Sequence, residues 1–423
     1  MRRLKMSFNI PEAKRNEITA MVTRSVLETN VYDIHTHLYD PAFGELLHWG
    51  IDDQLVYHYL VAEAFRHFEI DYNDFWKLPK ENQAQMIWDV LFINNSPLSE
   101  ACRGVLTALN RLGLDTNQRD LPNIRKWFKE QDPSEYITRC MELAKVSKIC
   151  MTNSPFDKLE TSKWESRFER DDRFTSALRI DPLLLEWHTI IPQLIESGYE
   201  VQSDLSGKTM EEVQRFLRNW TNRMDALYVM VSLPPTFEYP ADNQCSKLID
   251  EAILPFCRES GLAFALMIGV KRGVNTEMKL AGDGLGKPSL NSLENLCSNN
   301  PNNKFLCTLL SRESQHELCV VARKFRNLHV FGCWWFTNIP SIIEDMTRMR
   351  LDLIGMSFTV QHSDARVLDQ IIYKWDHSRD IITKVLTEKY LNLASTGWEP
   401  SKREIQRDID GLFGEKFNQF IAK

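Results

Sequence analysis

The chain has 423 residues, 43% apolar and 26% charged, with 51 basic against 58 acidic side chains and a net charge of −7. That balance belongs to a globular protein with a large core and excludes disorder or collagen-like structure. It also argues against a dedicated nucleic-acid binder, which carries a basic excess. The length allows two or three ordinary domains, or one α/β barrel enlarged by insertions. The nine cysteines are odd in number and scattered, and no C-x-x-C occurs, so reduced thiols are expected rather than a disulfide framework or a cysteine-rich zinc site. The N-terminal MRRLKMSFNI lacks an apolar stretch of signal-peptide length, and no apolar run is long enough to span a bilayer. A cytoplasmic protein is expected.

In chain order, short apolar runs predict strands at Val31–Ile34, Lys148–Thr152, Ser176–Ile180, Leu227–Ser232, Ala263–Gly269, Lys304–Leu310, Leu328–Trp334 and Leu353–Phe358. Between them, helical periodicity covers Leu184–Ser197, Met210–Arg223, Ser246–Ser260, Gln315–Phe325 and Ile339–Met349. Apolar strands alternating with amphipathic helices indicate a parallel sheet covered by helices, and eight such units close into a (β/α)8 TIM barrel. The long interval between the first two strands is rich in helix signals. Ser96-Pro97 reads as an N-cap with proline in the first turn, and Asp132-Pro133-Ser134-Glu135 as a variant capping box. The expected organisation is residues 1–40 with the first strand, a helical insertion over 41–145, the remaining barrel over 146–378, and a helical tail over 379–423 broken at Trp398-Glu399-Pro400.

The first chemical signal is Asp33-Ile34-His35-Thr36-His37, closing the first strand. Side chains at i and i+2 share one face of a strand, about 7 Å apart. Two imidazoles so placed converge on one metal, and the C-terminal end of a barrel strand opens into the active-site mouth. With ten histidines in the whole chain, such a pair closing an apolar strand is uncommon. The second signal is Gln361-His362-Ser363-Asp364-Ala365-Arg366, after the eighth strand. In a closed barrel that strand lies beside the first, so Asp364 reaches His35 and His37 as third ligand, general base, or both. Arg366 points a permanent charge into the same pocket. Arg179 ends the third strand and Arg312 follows the sixth; arginines at the mouth suggest an acidic substrate, although Arg312 reads more readily as a surface ion pair.

Absences limit the metal count to one. The fourth, fifth and sixth strands end at Ser232-Leu233, Met267-Ile268-Gly269 and Leu310-Ser311, with no histidine, lysine or carboxylate to bridge two ions. Cys333 reads as packing beside Trp334 and Trp335. Gly282-Asp283-Gly284-Leu285-Gly286-Lys287 imitates a phosphate loop, but Pro288 stands where a hydroxyl is required, and the segment reads instead as a loop over the site.

Together these residues resemble the uronate isomerases (glucuronate isomerases) of the amidohydrolase superfamily, in a divergent bacterial branch. The resemblance rests on Asp33 to Leu38, His58-Tyr59, Thr152 to Asp157, Arg179 before its Asp-Pro, Ile268-Gly269 with Arg272 and Asn275-Thr276, Trp334-Trp335-Phe336, and Ser363 to Arg366. It implies a distorted barrel of the metal-dependent hydrolase type. It implies aldose–ketose interconversion of D-glucuronate with D-fructuronate, and of D-galacturonate with D-tagaturonate, through a cis-enediolate. By the same resemblance His35, His37 and Asp364 hold one divalent metal, usually zinc. Asp364, Tyr59 and Arg366 act on the reacting atoms, and Arg179, Arg366, Tyr59 and Trp335 hold substrate. One departure is Met267, where the better-known branch has a histidine associated with ring opening. The expected partner is a small uronic acid, with neither nucleic acid nor membrane, and a homo-oligomer is the assembly to test. The competing readings are a mononuclear metal-dependent hydrolase or deaminase on the same ligands, and a sugar-acid binding protein.

Overall fold

The computed structural model describes residues 10–422. Eight parallel strands pair in chain order: Val31–Thr36, Val146–Asn153, Phe174–Arg179, Ala226–Leu233, Ala263–Ile268, Phe305–Leu309, Leu328–Phe331 and Phe358–Thr359. Every residue of the fifth and sixth of these strands is buried, as expected of a sheet covered on both faces. The sheet curls in the manner of a TIM-like barrel. Backbone hydrogen bonds from His37 N to Ala365 O (2.8 Å) and from Asp364 N to His35 O (3.2 Å) tie the first strand to residues just beyond the eighth. The fully buried Asp33 carboxylate secures the same seam, accepting the Ser363 amide (3.0 Å) on one oxygen and the Trp375 indole N–H (2.9 Å) on the other.

Two strand predictions need correction. Leu353 belongs to helix Pro340–Ile354, and the eighth strand is only Phe358–Thr359. The apolar run there continues the buried face of the helix until Gly355 turns the chain with a φ of +59°. The seventh strand stops at Phe331, not Trp334, because Gly332 takes a φ of +61°. A side chain there has no room: a Cβ would lie 1.9 Å from Cδ2 of His362.

Between the first two strands the chain forms a series of helices, among them His58–Ala64, Tyr72–Lys77, Glu100–Arg111 and Pro133–Ala144. Asp132 caps the last of these through the amides of Ser134 and Glu135, as expected. The expected cap at Ser96 is displaced to Ser99, whose hydroxyl accepts from the Cys102 amide, and Ser96-Pro97 precedes the helix. The tail helix begins earlier than expected: Gln370–Ser395 is continuous, so residue 379 falls inside it, and the chain breaks before Lys402–Asp410. All nine cysteines are free, and no helix among the described residues is long and apolar enough to cross a membrane.

Asp369, just before that long helix, binds the first inter-strand segment to it. One oxygen accepts the Gly50 amide (2.7 Å) and the other meets the Tyr136 hydroxyl. Burial pushes the Asp369 carboxyl up to about 7, with Asp53 adding to the rise and the Gly50 amide opposing it. A carboxyl protonated in the fold but titrating near 3.9 when unfolded stabilises fully at low pH, and loses that contribution as pH rises through its folded value. Urea unfolding is therefore expected to show a loss on the order of 3 kcal/mol from this group between about pH 4 and 7. Asp369→Asn is expected to flatten that slope.

Candidate metal centre and active-site cavity

His35 and His37 end the first strand, and Asp364 reaches them from the loop beyond the eighth, across the seam. The Nε2 atoms of His35 and His37 lie 3.6 and 3.3 Å from Oδ1 of Asp364. The three ligand atoms fall within 4.8 Å of one another. Asp364 takes a φ of +52°, a left-handed conformation that aspartate tolerates better than most residues.

The ring orientations follow from hydroxyl protons. The Thr152 hydroxyl gives its one proton to the Thr36 carbonyl (2.8 Å), so at 3.0 Å it can only accept from Nδ1–H of His37. Tyr228 likewise donates to the Ile34 carbonyl (2.8 Å) and faces Nδ1 of His35 at a longer 3.4 Å. Both imidazoles are thereby assigned as Nδ1–H tautomers, with the Nε2 lone pairs aimed at Asp364. Nε2 of His35 and Oδ1 of Asp364 are buried without hydrogen-bond partners. Three converging lone pairs repel one another, and a cation at their centre removes the repulsion. The donor set of two nitrogens and one carboxylate oxygen suits a single zinc-like ion with an open position.

Burial, followed by the Arg366 charge, holds His37 well below the usual imidazole range. Burial alone would raise the Asp364 carboxyl, but the two histidines outweigh it and keep it well below the carboxylate range. Both directions favour a neutral imidazole and an ionised carboxylate, the forms in which these groups bind metal.

His37 opens into a cavity of about 910 Å³ whose wall includes Tyr57, His58, Thr152, Arg179 and Arg366. Arg179 bonds Asp181 (Nε to Oδ2, 2.9 Å), and Asp181 in turn accepts the Ser232 amide (2.8 Å). Four further cations of the wall divide: Arg272 pairs with Asp283 and Lys80 with Asp53, Lys279 lies over the Trp76 ring at the outer edge, and Arg366 forms no ion pair with any described carboxylate. Arg366 is the cation in the wall's inner part left free for an anion. The cavity is also lined by Lys279 and Leu280, from the loop that Val270–Lys271 and Gly284–Leu285 close as a small antiparallel ribbon. That places the glycine-rich segment at the cavity's edge.

Tyr59 and Trp335 are not among the lining residues; both rings pack against His58, which is. The Tyr59 hydroxyl is buried without a partner and feels the charges of Asp364 and Arg366, and burial holds the phenol far above its usual range. Trp335, with a φ of +47°, sets its ring 5.4 Å from that of His58, and its indole N–H is unpartnered. Met267 is buried in an apolar cluster with Trp334 and Trp335, and has no polar role in the wall. Cys333 packs with Ile343 and Met346, its thiol pushed up to about 11 by burial. Arg312 pairs on the surface with Asp345 (3.0 Å).

Thr152 and Tyr228 had no role in the sequence reading. Thr152 lies inside a segment already singled out there, but nothing local marks Tyr228. His58 was quoted beside Tyr59 with no task of its own. Both of its ring nitrogens are buried and unpartnered, and burial with the Arg366 charge keeps it neutral. Thr152→Val is expected to leave the fold intact and weaken zinc binding about 10- to 100-fold in competition with a chelator, because the His37 ring loses its orienting acceptor.

No family model matches the chain, and no curated protein matches it. Among solved structures, a uronate isomerase from Bacillus halodurans C-125 is 47% identical, with 97% of each chain covered and a TM-score of 0.95. A uronate isomerase from Thermotoga maritima (14% identity, 96% of this chain and 97% of that one, TM-score 0.76) shares the fold. So does a glucuronate isomerase from Caulobacter crescentus (13%, 99% and 96%, TM-score 0.74). At 47% identity along nearly the whole length, the chain belongs to the uronate isomerase family.

Proposed function

We propose that the protein is a metal-dependent uronate isomerase that interconverts D-glucuronate with D-fructuronate and D-galacturonate with D-tagaturonate. The observation that carries this reading is the near-complete alignment with a uronate isomerase, together with the His35–His37–Asp364 cluster facing a cavity whose inner cation, Arg366, is unpaired. The finer fold assignment is a distorted (β/α)8 barrel of the metal-dependent hydrolase type, with residues 41–145 as a helical insertion bringing His58 and Tyr59 to the barrel mouth.

His35, His37 and Asp364 would hold one divalent metal, most simply zinc, which polarises a substrate oxygen when bound. The chain's own groups divide the remaining work. In the open-chain aldose a base removes the C2 proton and the electron pair forms the cis-enediolate with its charge on O1; a proton then returns at C1 while the O2 proton passes to O1, leaving the ketone at C2. The depressed Asp364 carboxyl favours the ionised form, which can accept a proton. Tyr59 stays protonated, which suits a donor to the enediolate oxygens. Arg366 supplies positive charge where the enediolate's negative charge develops, and Arg179, locked against Asp181, presents a fixed fork to substrate oxygens.

The test is a coupled assay: protein, divalent metal, D-glucuronate or D-galacturonate, and an NADH-dependent fructuronate or tagaturonate reductase. NADH loss is expected. His35→Ala and His37→Ala should abolish it together with bound metal, and Tyr59→Phe should lower kcat about 10²-fold or more with metal content unchanged. Absence of NADH loss from folded, metal-loaded protein would overturn the reading, and release of ammonia or free acid from a substrate panel would favour the hydrolase or deaminase instead.

A further inference from the structure

Lys374, on the helix that follows the Asp364–Arg366 loop, is 4% exposed and has no carboxylate within ion-pair distance among the described residues. A buried, unpaired lysine is costly and needs a reason. Its ammonium lies 5.7 Å from the ring centroid of Tyr59 and 5.9 Å from that of Tyr373. Tyr373 is itself pressed by helix Glu100–Arg111, where a Cβ on Gly104 would meet its ring at 2.6 Å. The charges of Asp364, Glu100 and Asp33 act on Lys374 from a distance, and Lys374 in turn acts on His58 and His362.

We propose that Lys374 is a positioning residue for uronate turnover. Its ammonium, held between the rings of Tyr59 and Tyr373, fixes the Tyr59 phenol toward Asp364 and Arg366. The attraction of a desolvated ammonium to an aromatic face is the force involved. The Tyr59 hydroxyl makes no hydrogen bond that could hold it instead. Removing the ammonium leaves the Tyr59 ring held only by Tyr57, His58 and Phe336, and touches none of the candidate metal ligands.

The inference rests on the role given to Tyr59 above, so the experiment has one arm that needs no turnover. In substrate-free protein carrying ¹³C-labelled tyrosine, the Tyr59 ring signals are identified by their loss in Tyr59→Phe. They are expected to move in Lys374→Met and to stay in Lys374→Arg. With D-glucuronate, Lys374→Met is expected to lower kcat about tenfold or more, with KM within about twofold and metal content unchanged. Lys374→Arg should recover most of that loss. In the Tyr59→Phe background Lys374→Met should cost nothing further, because the hydroxyl it positions is gone. An unmoved Tyr59 signal, an equal loss in the arginine variant, or additive losses with Tyr59→Phe would each overturn the proposal. If no uronate is turned over, a moved signal still supports the positioning and the failure lies in the functional reading. Should the methionine variant fail to melt cooperatively, Lys374→Gln carries the same comparison.

Discussion

The carboxylate of Asp33 is the constraint on which the site depends. It is fully buried, and burial alone would drive it toward the neutral acid. The Ser363 amide and the Trp375 indole, both from the far side of the seam, each hold one of its oxygens. Through them it fastens the first strand to the loop that carries Asp364 and to the helix that carries Lys374. The registers of His35 and Asp364 follow from this clamp, reinforced by the two backbone hydrogen bonds beside it. A slip of one residue in the first strand would turn both imidazoles to the other face. The clamp thus fixes chemistry as well as topology.

The cavity's electrostatics have a clear division. Arg179, Arg272 and Lys80, farther round the wall, are matched by their own aspartates, which fixes their geometry and lowers their net field, and Lys279 at the outer edge lies over the Trp76 ring. Near the candidate metal ligands stand two cations without a carboxylate partner, Arg366 in the wall and Lys374 beyond it. Between them stand His58 and the two tyrosines Tyr57 and Tyr59, kept uncharged by burial. Such a site offers fixed positive potential and neutral hydrogen-bonding groups. Those are the features that stabilise a developing oxyanion without solvent reorganisation.

Much of this was legible in the sequence. The rhythm of apolar runs placed all eight strands near their observed positions, because fully buried parallel strands carry unbroken apolar runs. The failures came at chain reversals. At Leu353 a helix ended in the same residue types that begin a strand, and at Gly332 the turn depended on a ring packed from the next strand's loop. Ser96 lost the cap to Ser99 because both neighbours look alike locally, and only the packing of Glu100–Arg111 chooses between them. In the site, H-x-H and D-x-R were readable because a metal centre needs particular residue types at particular spacings. Tyr228, Asp33 and Lys374 were not, since their roles come from contacts between residues more than a hundred positions apart. The Tyr59 reading was half visible: the residue reaches the neighbourhood of Asp364 and Arg366, yet Tyr57 and His58 occupy the wall.

The candidate metal ligands come from both sides of the seam, two on the first strand and one beyond the eighth, and this would have a thermodynamic consequence. An ion held by all three crosslinks the two edges of the sheet non-covalently, so occupancy and closure become one coupled equilibrium. Each tenfold excess of free ion over its dissociation constant would then add about 1.4 kcal/mol to the closed form. The amides that bridge the edges, His37 and Asp364, would report it directly as slower hydrogen exchange. In such an arrangement free metal would set how firmly the two edges of the sheet are held together.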